Sequence, residues 1–419
     1  MGNSVLPKIL YNGFDLLNRG ELEKYYECVR EKNREQVPFG NSEIEGFLRM
    51  WGFDPVLENN PLMNKEEIKK WTEKVNPSDI HSWAYTGGSY GEPLRIPYSK
   101  RRGIIRTATF KYFNEAAGYR LGDPFFLIRA KNKSSFIKYL RNEHIFIPGD
   151  ISEPKIREFV HELREKRIKV LMGYPTVMYE VALYLERNPS EKRDLSIKSL
   201  ISVSEPLEDF KRKAVRDAFD CDFVDRYSNE EVGLIAQQKE FGGDYYVNKF
   251  GVYVEVVDPE TLKPVDEGEQ GRVVVTDLCN DLVPVIRYDT GDLATVVSYR
   301  DGQLVTIRDI VGRVSEQIFS VAVNPVSPLM LGPYIYKPLS KQGPVYQYQF
   351  AQTSAGSYEL RIKTGKDDIS DQITDEITGG LKHVLGDEAE ITVVFCENIK
   401  PQPSGKRPIY KNEIGDQTR

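Results

Sequence analysis

The chain predicts an α/β fold, with a large N-terminal body of mixed sheets and flanking helices and a small C-terminal α+β unit. Three observations predict it. Between about residues 100 and 235, short apolar runs alternate with helical patterns, and several runs end in a Gly, Ser or Pro turn. From 250 to 310 the pattern changes to closely spaced β runs. Beyond about 345, a hairpin, a helix and a strand follow one another within a short span. Alternation of the first kind gives a largely parallel sheet with helices on its faces. Ligands collect beyond the carboxyl ends of such strands.

Length and composition bound what this fold can serve. At 419 residues the chain exceeds the size of a single growing core, so two or more domains are expected. A hydrophobic share of 40% with 29% charged residues excludes a disordered or fibrous protein. A net charge of −6 argues against a nucleic-acid partner, since phosphate backbones select basic faces. No stretch approaches the roughly 20 apolar residues that cross a bilayer, so no membrane partner is expected. Met1-Gly2-Asn3-Ser4 is followed by Leu6 where myristoylation needs Ser or Thr, and no signal-peptide core follows. Cytoplasm is the expected location. The four cysteines (Cys28, Cys221, Cys279, Cys396) form no C-x-x-C pair and suit a reducing compartment. The four histidines are equally scattered, and a structural or surface role is expected for each.

Taken in order, residues 1 to about 75 carry helical patterning at Leu22–Val29 and Glu66–Trp71, interrupted by Pro38, Pro55 and Pro61. The charged runs 31–35 and 162–169 read as solvated helix faces. A polar helix is expected over Lys155–Arg167 and a strand over Ile168–Met172, ending at Gly173-Tyr174-Pro175. A helix Val177–Arg187 follows, then a strand Leu200–Val203 ending at Ser204-Glu205-Pro206. Next come a helix Leu207–Phe219 and a strand Cys221–Asp225 running into Tyr227. Tyr174, Glu205 and Tyr227 thus each lie just past a strand end, where a ligand would sit. Strands are expected at Val252–Val257, Arg272–Thr276 and Gln303–Arg308, and the run Val283–Leu293 reads as ending in a polar turn. Residues 314–345 are rich in Pro and Gly and weakly periodic. The closing unit comprises the hairpin Val345–Gln352 with Tyr358–Lys363, the helix Asp367–Leu385 and the strand Glu390–Phe395. A boundary near 313–316 divides the chain into residues 1–312 and 313–419.

One stretch does not read as packing. Ala84-Tyr85-Thr86-Gly87-Gly88-Ser89-Tyr90-Gly91-Glu92-Pro93 places two hydroxyls and three glycines in six residues. Glycine permits positive φ and close approach of a ligand to the backbone, and successive N–H groups can form a nest for an anion. Neither a P-loop Lys-Ser/Thr nor a G-x-G-x-x-G can be threaded through it. By itself the loop serves a tight turn as well as a phosphate cradle.

Four further stretches stand beside it: Tyr227-Ser-Asn-Glu-Glu231-Val-Gly233, Arg287-Tyr-Asp-Thr-Gly-Asp292, Gly312-Arg313 and Pro403-Ser-Gly-Lys406. In order and spacing they resemble the adenylate-forming superfamily of acyl-CoA synthetases and adenylation domains. Within it, they look most like the phenylacetate–CoA ligase-like branch that includes capsule-biosynthesis relatives. The resemblance runs from about Tyr85 to Lys406 and rests on five individually weak motifs in the right order.

The resemblance implies a site. Thr86, Gly87, Gly88, Ser89 and Gly91 would hold the β- and γ-phosphates of ATP. Ser204, Glu205 and Pro206 would line the adenine pocket, and Tyr227 would pack on adenine. Glu231 would ligate Mg²⁺, a hard cation that prefers oxygen donors. Asp292 would accept both ribose hydroxyls. Arg313 would reach the nucleotide from the domain junction, and Lys406 would stabilise charge developing between the carboxylate and the α-phosphate. The implied activity is ATP-dependent activation of a small carboxylic acid, an aryl acid among the candidates. An acyl-adenylate would form with loss of pyrophosphate, and the acyl group would then pass to CoA. Transfer to an amine, a sugar or a carrier protein, or a non-catalytic nucleotide-binding subunit, are the alternatives. Tyr90, Ser228, Glu230 and Ser315 depart from the family pattern. The stretch 236–247 has neither Cys nor His, so no structural zinc is expected there. The number of subunits is left open, a homodimer included.

Overall fold

The computed structural model describes residues 19–85, 94–129, 142–148, 152–205, 207, 209–311, 318–323, 325–326, 328–339, 341, 347–363, 369–400 and 407–414. Helix α1 (Glu21–Glu35) buries Leu22, Tyr26 and Val29 against Ile104 and Ala108. Helix α2 (Asn41–Met50) buries Ile44 and Leu48 in the core of the antiparallel strands. Helix α3 (Lys65–Thr72) opens on a capping box, in which Asn64 accepts from the Glu67 N–H and Glu67 accepts from the Asn64 N–H. Strands β1 (Ser82–Tyr85) and β2 (Arg95–Tyr98) pair antiparallel, and helix α4 (Lys100–Ala116) follows with Ser99 as its cap.

The alternating region then builds β3 (Phe125–Ile128), β4 (Glu143–Phe146), α5 (Glu153–Glu165), β5 (Val170–Gly173), α6 (Pro175–Arg187), β6 (Ser199–Val203), α7 (Asp209–Phe219) and β7 (Asp222–Asn229). Helix α6 is apolar on nearly every side, so it is buried along Pro175–Leu185. Strands β7, β6, β5, β3 and β4 pair in parallel in that order. The sheet continues antiparallel through β8 (Gly233–Gln238), β9 (Tyr245–Val247), β13 (Gln303–Val311), β12 (Tyr288–Arg300), β11 (Gln270–Asp277) and β10 (Val252–Val257). The two patterns expected from the sequence are therefore one eleven-stranded sheet, joined where β7 turns into β8. The 287–292 run is not a turn, because Tyr288–Asp292 opens the long strand β12.

After β13 come the short pair β14 (Ile318–Phe319) and β15 (Pro325–Val326), then helix α8 (Pro328–Leu339). This helix forms in a segment that reads as irregular from sequence and carries Pro333 and Pro338. Leu331, Ile335 and Leu339, four residues apart, are each buried, and packing overrides the poor propensity. A four-stranded sheet completes the chain, ordered β18 (Glu390–Phe395), β17 (Ser357–Lys363), β16 (Gln347–Ser354), β19 (Tyr410–Asn412), with α9 (Asp371–Leu385) packed into its core.

Phe210 of α7 stacks on Tyr336 of α8, with ring centroids 3.9 Å apart, which joins the C-terminal unit to the large sheet's helices. Glu180 of α6 is buried nearby, and desolvation pushes its carboxyl up to about 7 against the opposing pull of Lys363, Arg407, Arg187 and Lys211. A raised folded pKa means stability is fullest below the unfolded value of 4.5 and falls as pH rises through about 7. Glu180→Gln is therefore expected to be more stable than the parent chain at pH 8, by up to about 3 kcal/mol, with the gain vanishing toward pH 4. Denaturant midpoints measured across that range check this, and a gain of equal size at both ends would contradict it.

Candidate functional site

Three neighbouring strands end at one edge of the body. β5 ends at Gly173, where φ is +148° and an added Cβ would lie 2.5 Å from the Ile128 side chain, so only glycine fits. Tyr174, buried, then caps α6. Two residues past the end of β6, Glu205 is also buried, after Ser204 at φ +75°, a conformation that non-glycine residues adopt mainly at turns and functional sites. The Thr176 N–H at the start of α6 donates to Glu205 Oε2 at 3.3 Å, tying the two strand ends together. On β7 the neighbour of Val203 is Arg226, so Tyr227 lies beside the same edge.

The turn from β7 to β8 carries Glu231. Asn229 Oδ1 accepts from the Val232 N–H at 2.8 Å, and Gly233 takes φ +88° to reverse the chain. Helix α4 secures the turn: Arg102 Nη2 donates to Val232 O and to Asp277 Oδ2, each at 2.7 Å. Arg106 donates to the Tyr98 hydroxyl and lies 3.7 Å from the exposed Glu230 carboxylate.

Two hydrogen bonds connect this segment to β12. The Tyr227 hydroxyl donates to Asp292 Oδ2 at 2.6 Å, and the Tyr288 hydroxyl donates to Glu231 Oε1 at 3.1 Å. Strands β7 and β12 are four places apart in the sheet, so it curls back on itself to bring them together. Burial and the adjacent Asp292 carboxylate hold the Tyr227 hydroxyl well above its usual range, so it stays a proton donor. Glu231 is buried, yet Lys65 Nζ at the first turn of α3 lies 3.5 Å from its Oε1. The N-terminal segment reaches the site because Met63 bridges to β12: the Met63 N–H donates to Arg287 O and the Asp289 N–H donates to Met63 O, both at 3.0 Å.

Tyr227 is thus brought to Asp292 and Glu231 to Tyr288 of the same strand, β12, and Ser204 and Glu205 stand on the edge adjoining Tyr227. Thr86, Gly87, Gly88, Ser89, Tyr90, Gly91, Pro206, Arg313, Ser315 and Lys406 lie outside the described residues. Lys65, Arg106, Tyr288 and Thr176 are missed by sequence reasoning. Their only local signals are the Asn64 capping box, which marks a helix start, and the position of Tyr288 inside a motif already singled out. A further contact comes from the C-terminal unit: the Arg407 N–H donates to Glu205 Oε1 at 2.8 Å.

The donor set suits Mg²⁺. Among the described residues no group of three or more His, Cys, Asp or Glu is arranged for a metal. One buried carboxylate is what a cation needs when substrate phosphates and water complete its shell.

Comparison with known proteins gives the family and the fold. Residues 41–279 match the model of the family described as AMP-binding enzyme. The phenylacetate–coenzyme A ligase of Pseudomonas putida is 21% identical over 266 residues, 61% of this chain and 60% of that one. The match thus spans about three fifths of that relative's length. A solved structure of 2-hydroxyisobutyryl-CoA ligase, in the postadenylation state with 2-HIB-AMP, superposes with a TM-score of 0.66 at 17% identity, covering 93% of this chain and 88% of that one. The same ligase with 2-HIB-AMP and CoA, in the thioesterification state, gives 0.53 at 18% identity, covering 94% and 90%. At these identities the likeness is one of fold.

Proposed function

Because the chain belongs to the AMP-binding enzyme family, we propose that it is an AMP-forming carboxylate–CoA ligase. The observation that carries this is the pair of hydrogen bonds, Tyr227–Asp292 and Tyr288–Glu231, that bring two separate motifs into one polar site. A surface cluster of unrelated carboxylates would not be cross-linked in this way.

In this reading the substrate carboxylate attacks the α-phosphorus of ATP. The new C(=O)O–P bond forms as the bond to the pyrophosphate oxygen breaks, and pyrophosphate leaves with that electron pair. The CoA sulfur, having lost its proton, then attacks the acyl carbon, and AMP leaves. Activation as a mixed anhydride splits one unfavourable acylation into two accessible steps. Asp292, oriented by the Tyr227 hydroxyl, accepts the ribose hydroxyls, and the part-exposed Tyr227 ring offers a face to adenine. Glu231 would hold Mg²⁺, which supplies neutralisation of phosphate charge. Lys65 and Arg106 add positive charge around a site with three carboxylates. The loop Thr86–Gly91, Arg313 and Lys406 belong to the same proposal, with the chain divided into residues 1–312 and a mobile 313–419.

ATP–pyrophosphate exchange across a panel of aryl, fatty and hydroxy acids tests the proposal, with CoA or hydroxylamine as acceptor. One acid supporting exchange, and a thioester with CoA, is the expected result; no exchange with any acid overturns it. Asp292→Ala is expected to raise the KM for ATP about 10-fold, as for loss of hydrogen bonds to a charged acceptor. An unchanged KM would remove Asp292 from the nucleotide site.

A further inference from the structure

The Glu205 carboxylate does something the adenine-lining role does not require. Its two oxygens serve two different parts of the chain. Oε2 accepts from the Thr176 N–H at the start of α6, and Oε1 accepts from the Arg407 N–H at 2.8 Å. Glu205, Thr176 and Arg407 are all buried, at 8%, 2% and 2% exposure, so neither bond competes freely with water. At 2.8 Å the bond from the Arg407 N–H is a charge-assisted one of the stronger class, and the 3.3 Å bond from Thr176 is the longer of the two.

The C-terminal side of this contact is a rigid one. The Phe350 N–H donates to Ile409 O at 2.7 Å and Gln349 donates to Pro408 O at 2.9 Å, so the chain just after Arg407 is tied into the four-stranded sheet. Charge is matched across the same junction. Glu180 of α6 lies within the influence of Lys363 and Arg407 from the C-terminal unit and of Lys211 and Arg187 from α7 and its own helix. Lys211 Nζ also donates to Thr176 Oγ1 at 3.2 Å. Carboxylates on the large body thus meet cations and a backbone donor on the small one.

We propose that Glu205 is a positioning residue whose carboxylate clasps the C-terminal unit, through the Arg407 backbone, onto the large body in the arrangement used for adenylation. The inference rests on the ligase reading for its consequence, but not for its contact. Arg407 directly follows Lys406 in sequence, so the clasp governs where the chain bearing that lysine is anchored. An amide at 205 keeps the side chain's size and one acceptor oxygen but can no longer accept both N–H donors.

The contact is tested by hydrogen exchange on the full chain. In the parent protein the Arg407 amide should exchange at least about 10-fold slower than an unstructured amide, and Glu205→Gln should remove most of that protection. The Phe350 amide, bonded within the small sheet, should stay protected in both. An Arg407 amide exchanging freely in the parent chain overturns the proposal without any variant.

The consequence is read with phenylacetate, or whichever acid of the panel supports exchange. Glu205→Gln should lower kcat for pyrophosphate exchange about 10-fold while the KM for ATP stays within about twofold. Thioester formation from the chemically prepared acyl-adenylate plus CoA should stay within about twofold of the parent rate. A raised KM with unchanged kcat would make Glu205 a pocket-lining residue and overturn the proposal. Equal loss in both half-reactions would show general damage and overturn it too. If no acid supports exchange, the ligase reading fails, and the amide measurement alone decides the clasp. Glu205→Asp, one methylene shorter, replaces the amide variant if that one does not fold, with the same outcomes expected.

Discussion

Arg287→Ala should cost the fold about 3–5 kcal/mol, the range for breaking a buried ion pair by removing one partner. Arg287 is 2% exposed, the largest fully buried side chain described. Its guanidinium donates through Nε to Glu255 Oε2 at 3.2 Å, and Nη2 lies 3.1 Å from Oε1. Nη1 donates to the Glu58 and Asn60 carbonyls at 3.0 and 2.9 Å, and Nη2 to Leu262 O at 3.3 Å. One side chain, at the entry to β12, therefore joins β10, the segment after α2 and the 258–264 turn. Removing it leaves Glu255, already raised by burial, without the charge that holds its pKa down. Arg287→Lys should recover only part of the loss, because an ammonium lacks the planar fork that reaches four acceptors. Denaturant unfolding measures both variants, and an alanine cost under about 1 kcal/mol would show that the network is dispensable. Activity should fall with stability, since Arg287 directly precedes β12, the strand that carries Tyr288 and Asp292.

The second large effect is kinetic. Lys406→Ala should lower the adenylation rate by on the order of 10²-fold or more, as for loss of one preorganised donor aimed at developing charge. Unfolding free energy should hardly move, which separates this variant from Arg287→Ala. A pyrophosphate-exchange rate equal to that of the parent chain would remove Lys406 from the mechanism. Combined with Glu205→Gln the losses should be less than additive, because both act on the same step.

Much of the fold can be read from local pattern. Strand β10 has the bounds expected from its alternation, and the helices α5, α6 and α7 start or end within two residues of expectation. Helix α8 could not be read so, because Pro333 and Pro338 speak against a helix in any local account. Its apolar spacing counts only once a sheet is present to bury it. Nor could the 287–292 run be recognised as a strand. Its Asp-Thr-Gly-Asp composition is that of a turn, and Gly291 does adopt φ +76° within β12. The side chain of Arg287 offers the same contrast: it stands in a recognisable motif, yet its burial depends on partners 229 and 32 residues away.

For the site, the motifs and the resemblance they carry name Tyr227, Glu231 and Asp292 as candidates, and the structure gives Tyr227 and Asp292 to one hydrogen bond and Glu231 to another with Tyr288. Which of these touch was not in the order. The Tyr227–Asp292 and Tyr288–Glu231 bonds exist because an eleven-stranded sheet curls until strands four places apart meet. Lys65 and Arg407 enter for the same reason, one through the Met63 bridge and the other through Glu205. Periodicity and motif spacing are short-range properties and specify elements and candidate residues. Contacts between residues 57 or more positions apart depend on how those elements close on one another, and only packing in three dimensions decides that.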